Sequence, residues 1–252
     1  MVGIQKWLKS AIIVFILMNP FFLSSRGQSA NSPQELDQSL RIVFIGDSLT
    51  EGYGVSREAA YPYLIEQKLK KMLPQVEVVN AGVSGATSQI ALAQVRWHIQ
   101  KKKPDLIVLA LGANDGLRGQ PLPVLENNLD KAITYVKEQK VSLILIGMRL
   151  PFNYSKPYRT DFEKIFRKLA ERHQIPLVPF LIQNVALEKE LNLEDRIHPN
   201  AKGHEKIAEH LWPTVEKIVK SMILKKKQPP SPNQPTLPHK PKMGQKREST
   251  NH

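Results

Sequence analysis

Arg41-Ile42-Val43-Phe44-Ile45-Gly46-Asp47-Ser48-Leu49 joins a short apolar run to the turn-forming residues Gly46 and Asp47. A run of this length, closed by turn residues, reads as a buried strand that ends in a polar loop. Moving outward, the same pattern recurs at Val76–Asn80, Leu106–Leu111, Leu143–Gly147 and Leu177–Pro179. Between these runs, Tyr61–Leu73, Ser88–Lys102, Pro123–Lys140 and Tyr158–Gln174 carry apolar residues at three- and four-residue spacing, the period of amphipathic helices. Leu125, Leu129 and Ile133 form the cleanest stripe, while Lys68 falls beside the apolar face that holds Leu64 and Leu69. A last helix is expected from about Ala201 to Leu224, following Pro199, a residue type that suits the start of a helix. Strands separated by helices demand parallel neighbours and right-handed crossovers. The expected fold is therefore an α/β three-layer sandwich around a doubly wound, mostly parallel five-stranded sheet, with its site at the carboxyl ends of the strands.

Four polar clusters fall where that rule puts a site: Gly46-Asp47-Ser48-Leu49, Asn80-Ala81-Gly82-Val83-Ser84-Gly85, Gly112-Ala113-Asn114-Asp115 and Asp195-Arg196-Ile197-His198. Together they hold the parts of a serine hydrolase: a hydroxyl, a base, a carboxylate to orient the base, and donors for an oxyanion. Ser48 alone would read as a helix N-cap. It is not in a Gly-x-Ser-x-Gly frame, since Thr50 stands where the second glycine would be, which argues against the α/β-hydrolase elbow. Asp195 and His198 are three residues apart, so the carboxylate can reach one ring nitrogen while the other turns to Ser48. The remaining histidines, at 98, 173, 204, 210, 239 and 252, lack that setting and read as surface or satisfied core residues. Asn114 serves as an oxyanion donor or as a turn former, and either Gly82 or Gly85 could bring an N–H to the same oxygen. Asp47, Asn80 and Asp115 read as hydrogen-bonding supports; Asp47 and Ser48, being adjacent at a strand end, point apart. No histidine or carboxylate cluster has metal-ligand spacing, so neither metal nor cofactor is expected.

In this order the clusters resemble the SGNH (GDSL) hydrolase family, with Ser48, Gly85, Asn114 and His198 as its four named residues. The likeness is nearest to the bacterial branch that contains acyl-CoA thioesterase I, lysophospholipase L1 and arylesterase proteins. It runs through Gly46–Tyr53, Leu111–Gly119, Met148-Arg149-Leu150-Pro151 and Ile197-His198-Pro199-Asn200, over roughly residues 40 to 223. The resemblance implies a flavodoxin-like SGNH fold and a Ser48-His198-Asp195 triad. It also implies an oxyanion hole of the Ser48 and Gly85 N–H groups with the Asn114 amide. Its substrates would be lysophospholipids, aryl or short-chain esters, or acyl thioesters. Leu150, Pro151, Phe152 and Tyr154 would form one wall for an acyl chain, or simply anchor their loop. Two other readings compete: a carbohydrate O-deacetylase or acyltransferase of the same fold, and a non-catalytic surface-binding protein.

Both ends stand apart from this domain, placed at residues 31–224. Lys6 and Lys9 precede the apolar run Ala11–Met18, which resumes as Phe21-Phe22-Leu23 after Asn19-Pro20. Too short for the ~20 apolar residues of a spanning helix, residues 1–30 read as a signal peptide for a periplasmic or secreted protein, or as a membrane anchor if uncleaved. Export disfavours acyl-CoA, a cytoplasmic pool, as the natural substrate. Residues 225–252 are rich in proline and poor in apolar bulk, and are expected to form a disordered tail. Its Lys225, Lys226, Lys227, Lys240, Lys242, Lys246 and Arg247 against Glu248 hold +6 of the chain's +13. The core is only mildly basic, so no specific nucleic-acid partner is indicated. The tail suits a solvated extension or a weak contact with an anionic membrane or polymer, alongside the small-molecule or lipid ester substrate. With no cysteine, the chain has no disulfide, thiolate nucleophile or cysteine zinc site.

Overall fold

The computed structural model of the protein describes residues 39–227. The expected signal segment at 1–30 and the tail beyond Lys227 lie outside these residues. Five strands, β1 (Arg41–Gly46), β2 (Glu77–Gly82), β3 (Leu106–Ala110), β4 (Ser142–Ile146) and β5 (Leu177–Val178), form one sheet in the order β2-β1-β3-β4-β5. Every pairing is parallel, which leaves no antiparallel strand in the expected doubly wound sheet.

Side chains of successive strand residues face opposite ways, and both faces are covered. Ile42, Phe44, Leu106, Val108, Ile144 and Val178 pack on α2 (Tyr61–Lys70) and α7 (Ala201–Lys227) through Tyr61, Ile65, Leu69, Ile207, Leu211 and Val215. Val43, Ile45, Ile107, Leu109, Leu143 and Leu145 pack on α3 (Ala91–Lys101), α5 (Leu122–Glu138) and α6 (Lys156–His173). The stripe expected on α5 is there: Leu125, Leu129 and Ile133 are fully buried. Lys68 lies at the edge of its helix's apolar face, its ammonium 5.6 Å from the Trp212 ring centre.

One boundary differs from expectation. Lys225–Lys227 belong to α7 and not to a tail, because Lys226 Nζ donates to the Ser39 carbonyl at 2.9 Å and pairs with Asp105 at 3.2 Å, which fastens the helix end. Pro199 lies ahead of α7, bridged to Asn192, and Asn200 accepts from the Gly203 N–H at 3.1 Å in the N-cap position.

The first crossover carries the chain from β1 outward to β2, and the second carries it back past β1 to β3. The carboxyl ends of β1 and β3 therefore feed connections that run in opposite directions, and the crevice between them is where ligands bind in open sheets of this kind. Ser48 follows β1, and Asn114 follows β3.

Candidate active site

Gly46 ends β1, and the next residue caps a one-turn helix, α1 (Ser48–Glu51): the Asp47 carboxylate accepts the Leu49 N–H at 3.0 Å. The cap role that Ser48 might have filled thus belongs to Asp47, and the Ser48 hydroxyl is left for other work. It lies 3.0 Å from His198 Nε2, and His198 Nδ1 lies 2.7 Å from Asp195 Oδ2. These are hydrogen-bond distances at both links, so hydroxyl, imidazole and carboxylate form one continuous chain. Asp195 folds over its own loop because Arg196 adopts a left-handed backbone at φ 59° and its N–H closes a turn onto Leu193. The other carboxylate oxygen accepts the Ile197 and His198 N–H groups, each at 2.9 Å. Partial burial opposes its charge, but these N–H donors and the His198 ring prevail and hold Asp195 down to about 2.

Asp47 is its electrostatic opposite. Burial pushes its carboxyl up to about 6, against the lowering effect of the Leu49 N–H. It points inward while Ser48 points to His198, as expected of neighbours at a strand end.

Asn114 sits in the first turn of the short helix α4 (Ala113–Leu117). Its amide donates to the Ala86 carbonyl at 2.9 Å and approaches Asp47 Oδ2 at 3.5 Å. The first bond ties the segment after β3 to the loop after β2, and the contact with Asp47 is at the long limit of a hydrogen bond. Gly85 has φ +75°, a left-handed conformation that suits glycine, and its carbonyl accepts from Arg118 at 3.0 Å. Gly82 has a different task. A Cβ there would collide with the backbone of Thr50 and Glu51, so its lack of a side chain lets α1 lie against the end of β2. The three supports behave as expected: Asn80 donates to the Thr50 carbonyl at 2.8 Å, Asp115 accepts from the Ser88 N–H at 2.8 Å and its hydroxyl at 2.6 Å, and Asp47 caps α1.

The loop after β4 is divided in its roles. Leu150 is buried in the core beside Phe162, and the Tyr154 hydroxyl donates to the Leu117 carbonyl at 2.6 Å, so both anchor the loop. Phe152 is 80 % exposed with Arg159 stacked 4.7 Å from its ring, and Pro151 is also exposed. Met148, which sequence reasoning gave no role, lines a cavity of only about 10 Å³ with Asp47, Leu49 and Ala113. That is room for a single water-sized sphere.

Two further residues were quoted in the motifs without a role. Tyr53 places its ring 4.6 Å from that of His198, and Arg118 holds the Gly85 carbonyl. Their nearness to Ser48 and Asn114 in sequence was the available signal, but spacing alone does not tell which way such side chains turn. Of the six other histidines, His173 pairs with Asp130 and His210 with the Phe180 carbonyl, whereas His98 and His204 are buried with one ring nitrogen lacking a partner among the described residues. Among those residues, no group of three or more His, Cys, Asp or Glu could hold a metal ion.

Residues 44–206 match the GDSL-like lipase/acylhydrolase family. An arylesterase of Vibrio mimicus is 36 % identical over 171 residues, spanning 68 % of this chain and 86 % of its own. The thioesterase 1/protease 1/lysophospholipase L1 of Escherichia coli K12 is 35 % identical over 178 residues, 71 % of this chain and 84 % of its own. The crystal structure of TesA superposes with a TM-score of 0.68 at 30 % identity, covering 71 % of this chain and 99 % of that one.

Proposed function

The chain belongs to the GDSL-like lipase/acylhydrolase family of SGNH esterases, and from that premise we propose that it hydrolyses small carboxylic esters or thioesters through Ser48, His198 and Asp195. The observation that carries this reading is the unbroken hydrogen-bond chain from Asp195 through His198 to Ser48.

Ser48 Oγ attacks the carbonyl carbon as its proton passes to His198 Nε2, and Asp195 stabilises the imidazolium that results. The carbonyl π pair moves onto oxygen, which the N–H groups of Ser48 and Gly85 and the Asn114 amide receive. Collapse re-forms the carbonyl and breaks the C–O or C–S bond, and His198 returns its proton to the departing alcohol or thiol. Water then attacks the acyl-enzyme, gives a proton to His198, and releases the acid and free Ser48. His198 passes this second proton to Ser48 Oγ as the acid departs, so every proton that it takes is returned.

The 36 % identical arylesterase supports aryl and short-chain esters as substrates, and the 35 % identical thioesterase 1/protease 1/lysophospholipase L1 supports acyl thioesters and lysophospholipids, so acyl length decides between them. The charged and apolar pattern of residues 1–30 supports a place outside the cytoplasm.

The test is hydrolysis of p-nitrophenyl esters of graded acyl length by the native chain, Ser48→Ala and His198→Ala. Turnover falling by several orders of magnitude in both variants, with melting curves unchanged, supports the triad, and a maximum at short acyl length supports the substrate class. Equal rates in all three chains would overturn the reading.

A further inference from the structure

At the edge of the sheet opposite Ser48, a groove of about 370 Å³ opens between the loop before β3, the turn before β4 and the end of α7. Lys103, Lys140, Lys225 and Lys226 line it. Lys226 is neutralised by Asp105 at 3.2 Å, but among the described residues Lys103, Lys140 and Lys225 have no carboxylate within salt-bridge distance. All three are exposed, and they gather in a groove whose one lining carboxylate, Asp105, is already paired with Lys226. Lys140 holds its place with a left-handed backbone, φ 55°, where glycine or asparagine is the usual residue after a helix. Leu224, 63 % exposed, precedes Lys225, and Met222 lines the groove, so apolar and basic side chains are interleaved. That mixture is characteristic of surfaces that meet lipid headgroups.

Both ends of the described chain leave from this edge. Ser39, its first residue, is hydrogen-bonded through its carbonyl to Lys226 near the last. Upstream in sequence lies the apolar run through Leu23, and downstream lie Lys240, Lys242, Lys246 and Arg247.

We infer that the basic groove at the amino-terminal edge of the sheet is a docking face for an anionic membrane surface, bound through lipid phosphates at Lys103, Lys140 and Lys225. This goes beyond ester hydrolysis and does not depend on it. Docking through this edge turns Ser48 away from the bilayer by at least the length of β3, about 17 Å. Substrate then reaches the site from water, not from the membrane beneath.

Flotation of the full chain with phosphatidylcholine vesicles, alone or with one third phosphatidylglycerol, gives a ratio of anionic to neutral affinity that an apolar segment by itself cannot produce. Each lysine near such a surface contributes about 1 kcal/mol, roughly fivefold. The Lys103→Gln/Lys140→Gln/Lys225→Gln chain is therefore expected to lose on the order of a hundredfold of the ratio. Its melting curve and p-nitrophenyl acetate hydrolysis should stay native, and the corresponding arginine variant should keep the ratio. A chain with Lys240, Lys242, Lys246 and Arg247 changed to glutamine is expected to retain most of it. A ratio that survives the triple glutamine variant, one lost only with the tail charges, or a basic face that binds duplex DNA but not anionic vesicles would each overturn the assignment.

Discussion

Asp195 meets three donors, the Ile197 N–H, the His198 N–H and the His198 ring, and its depressed pKa of about 2 keeps it ionised wherever the fold survives. An ionised Asp195 accepts only, so Nδ1 must carry the ring proton and Nε2 is left as the acceptor for Ser48. Asp195→Asn offers an amide that can donate to Nδ1 and reverse this tautomer. We expect kcat to fall on the order of 10³- to 10⁴-fold with KM little changed, measured by steady-state ester hydrolysis. Asn114→Ala probes the other side of the reacting carbon. Losing one oxyanion donor should cost roughly 10²- to 10³-fold in kcat. A loss that appears in KM instead would mean that Asn114 serves only to hold Ala86, the bond that its amide makes in the resting enzyme.

At the scale of elements, α7 governs where His198 stands. Asn200 caps the helix through Gly203 and also donates to the carbonyls of Glu190 at 3.0 Å and Asn192 at 3.3 Å, so one side chain joins the helix to the loop that carries Asp195 and His198. Asn200→Ala removes the cap and both tethers. The expected loss is about 1–2 kcal/mol, or roughly 3–6 °C in Tm for a domain of this size, seen by thermal melting, with a further drop in kcat at temperatures where the variant stays folded. Elements of this kind show how far the sequence could be read. The strands and long helices were legible because apolar residues recur at periods that only one conformation can bury: Leu125, Leu129 and Ile133 needed nothing beyond local spacing. The start of α7 after Pro199 was legible, but the Asn200 cap and the bridge between Pro199 and Asn192 were not, because both depend on contacts with the preceding loop. Ser48, His198 and Asp195, which form one hydrogen-bonded chain, were legible as polar residues in loops between apolar runs, whereas Gly85 was told from Gly82 only by the family resemblance. Leu150 was harder, since a leucine in a loop motif reads alike whether it faces substrate or, as here, Phe162 in the core.

Across the whole molecule, three buried groups shift stability below neutral pH, and they act in opposite directions. Burial holds His204 down to about 4, and burial with the charges of Arg41 and Lys101 does the same to His98. Each is neutral in the native protein while the unfolded chain takes up a proton near pH 6.5, so between about pH 4 and 6.5 the unfolded state binds more protons and stability rises with pH. Asp47 works the other way. Its native pKa of about 6 lies above the ordinary value of 3.8, so between those limits the native state binds more protons and stability falls as pH rises. Each shift corresponds to about 3 kcal/mol, and two histidines outweigh one carboxylate. Urea unfolding should therefore give a stability about 3 kcal/mol greater at pH 7 than at pH 4. Asp47→Asn removes the opposing titration, and in that variant the rise should steepen by a comparable amount. A parallel profile in the variant would mean that Asp47 is ionised in the native protein throughout this range, and the opposing titration would then be absent.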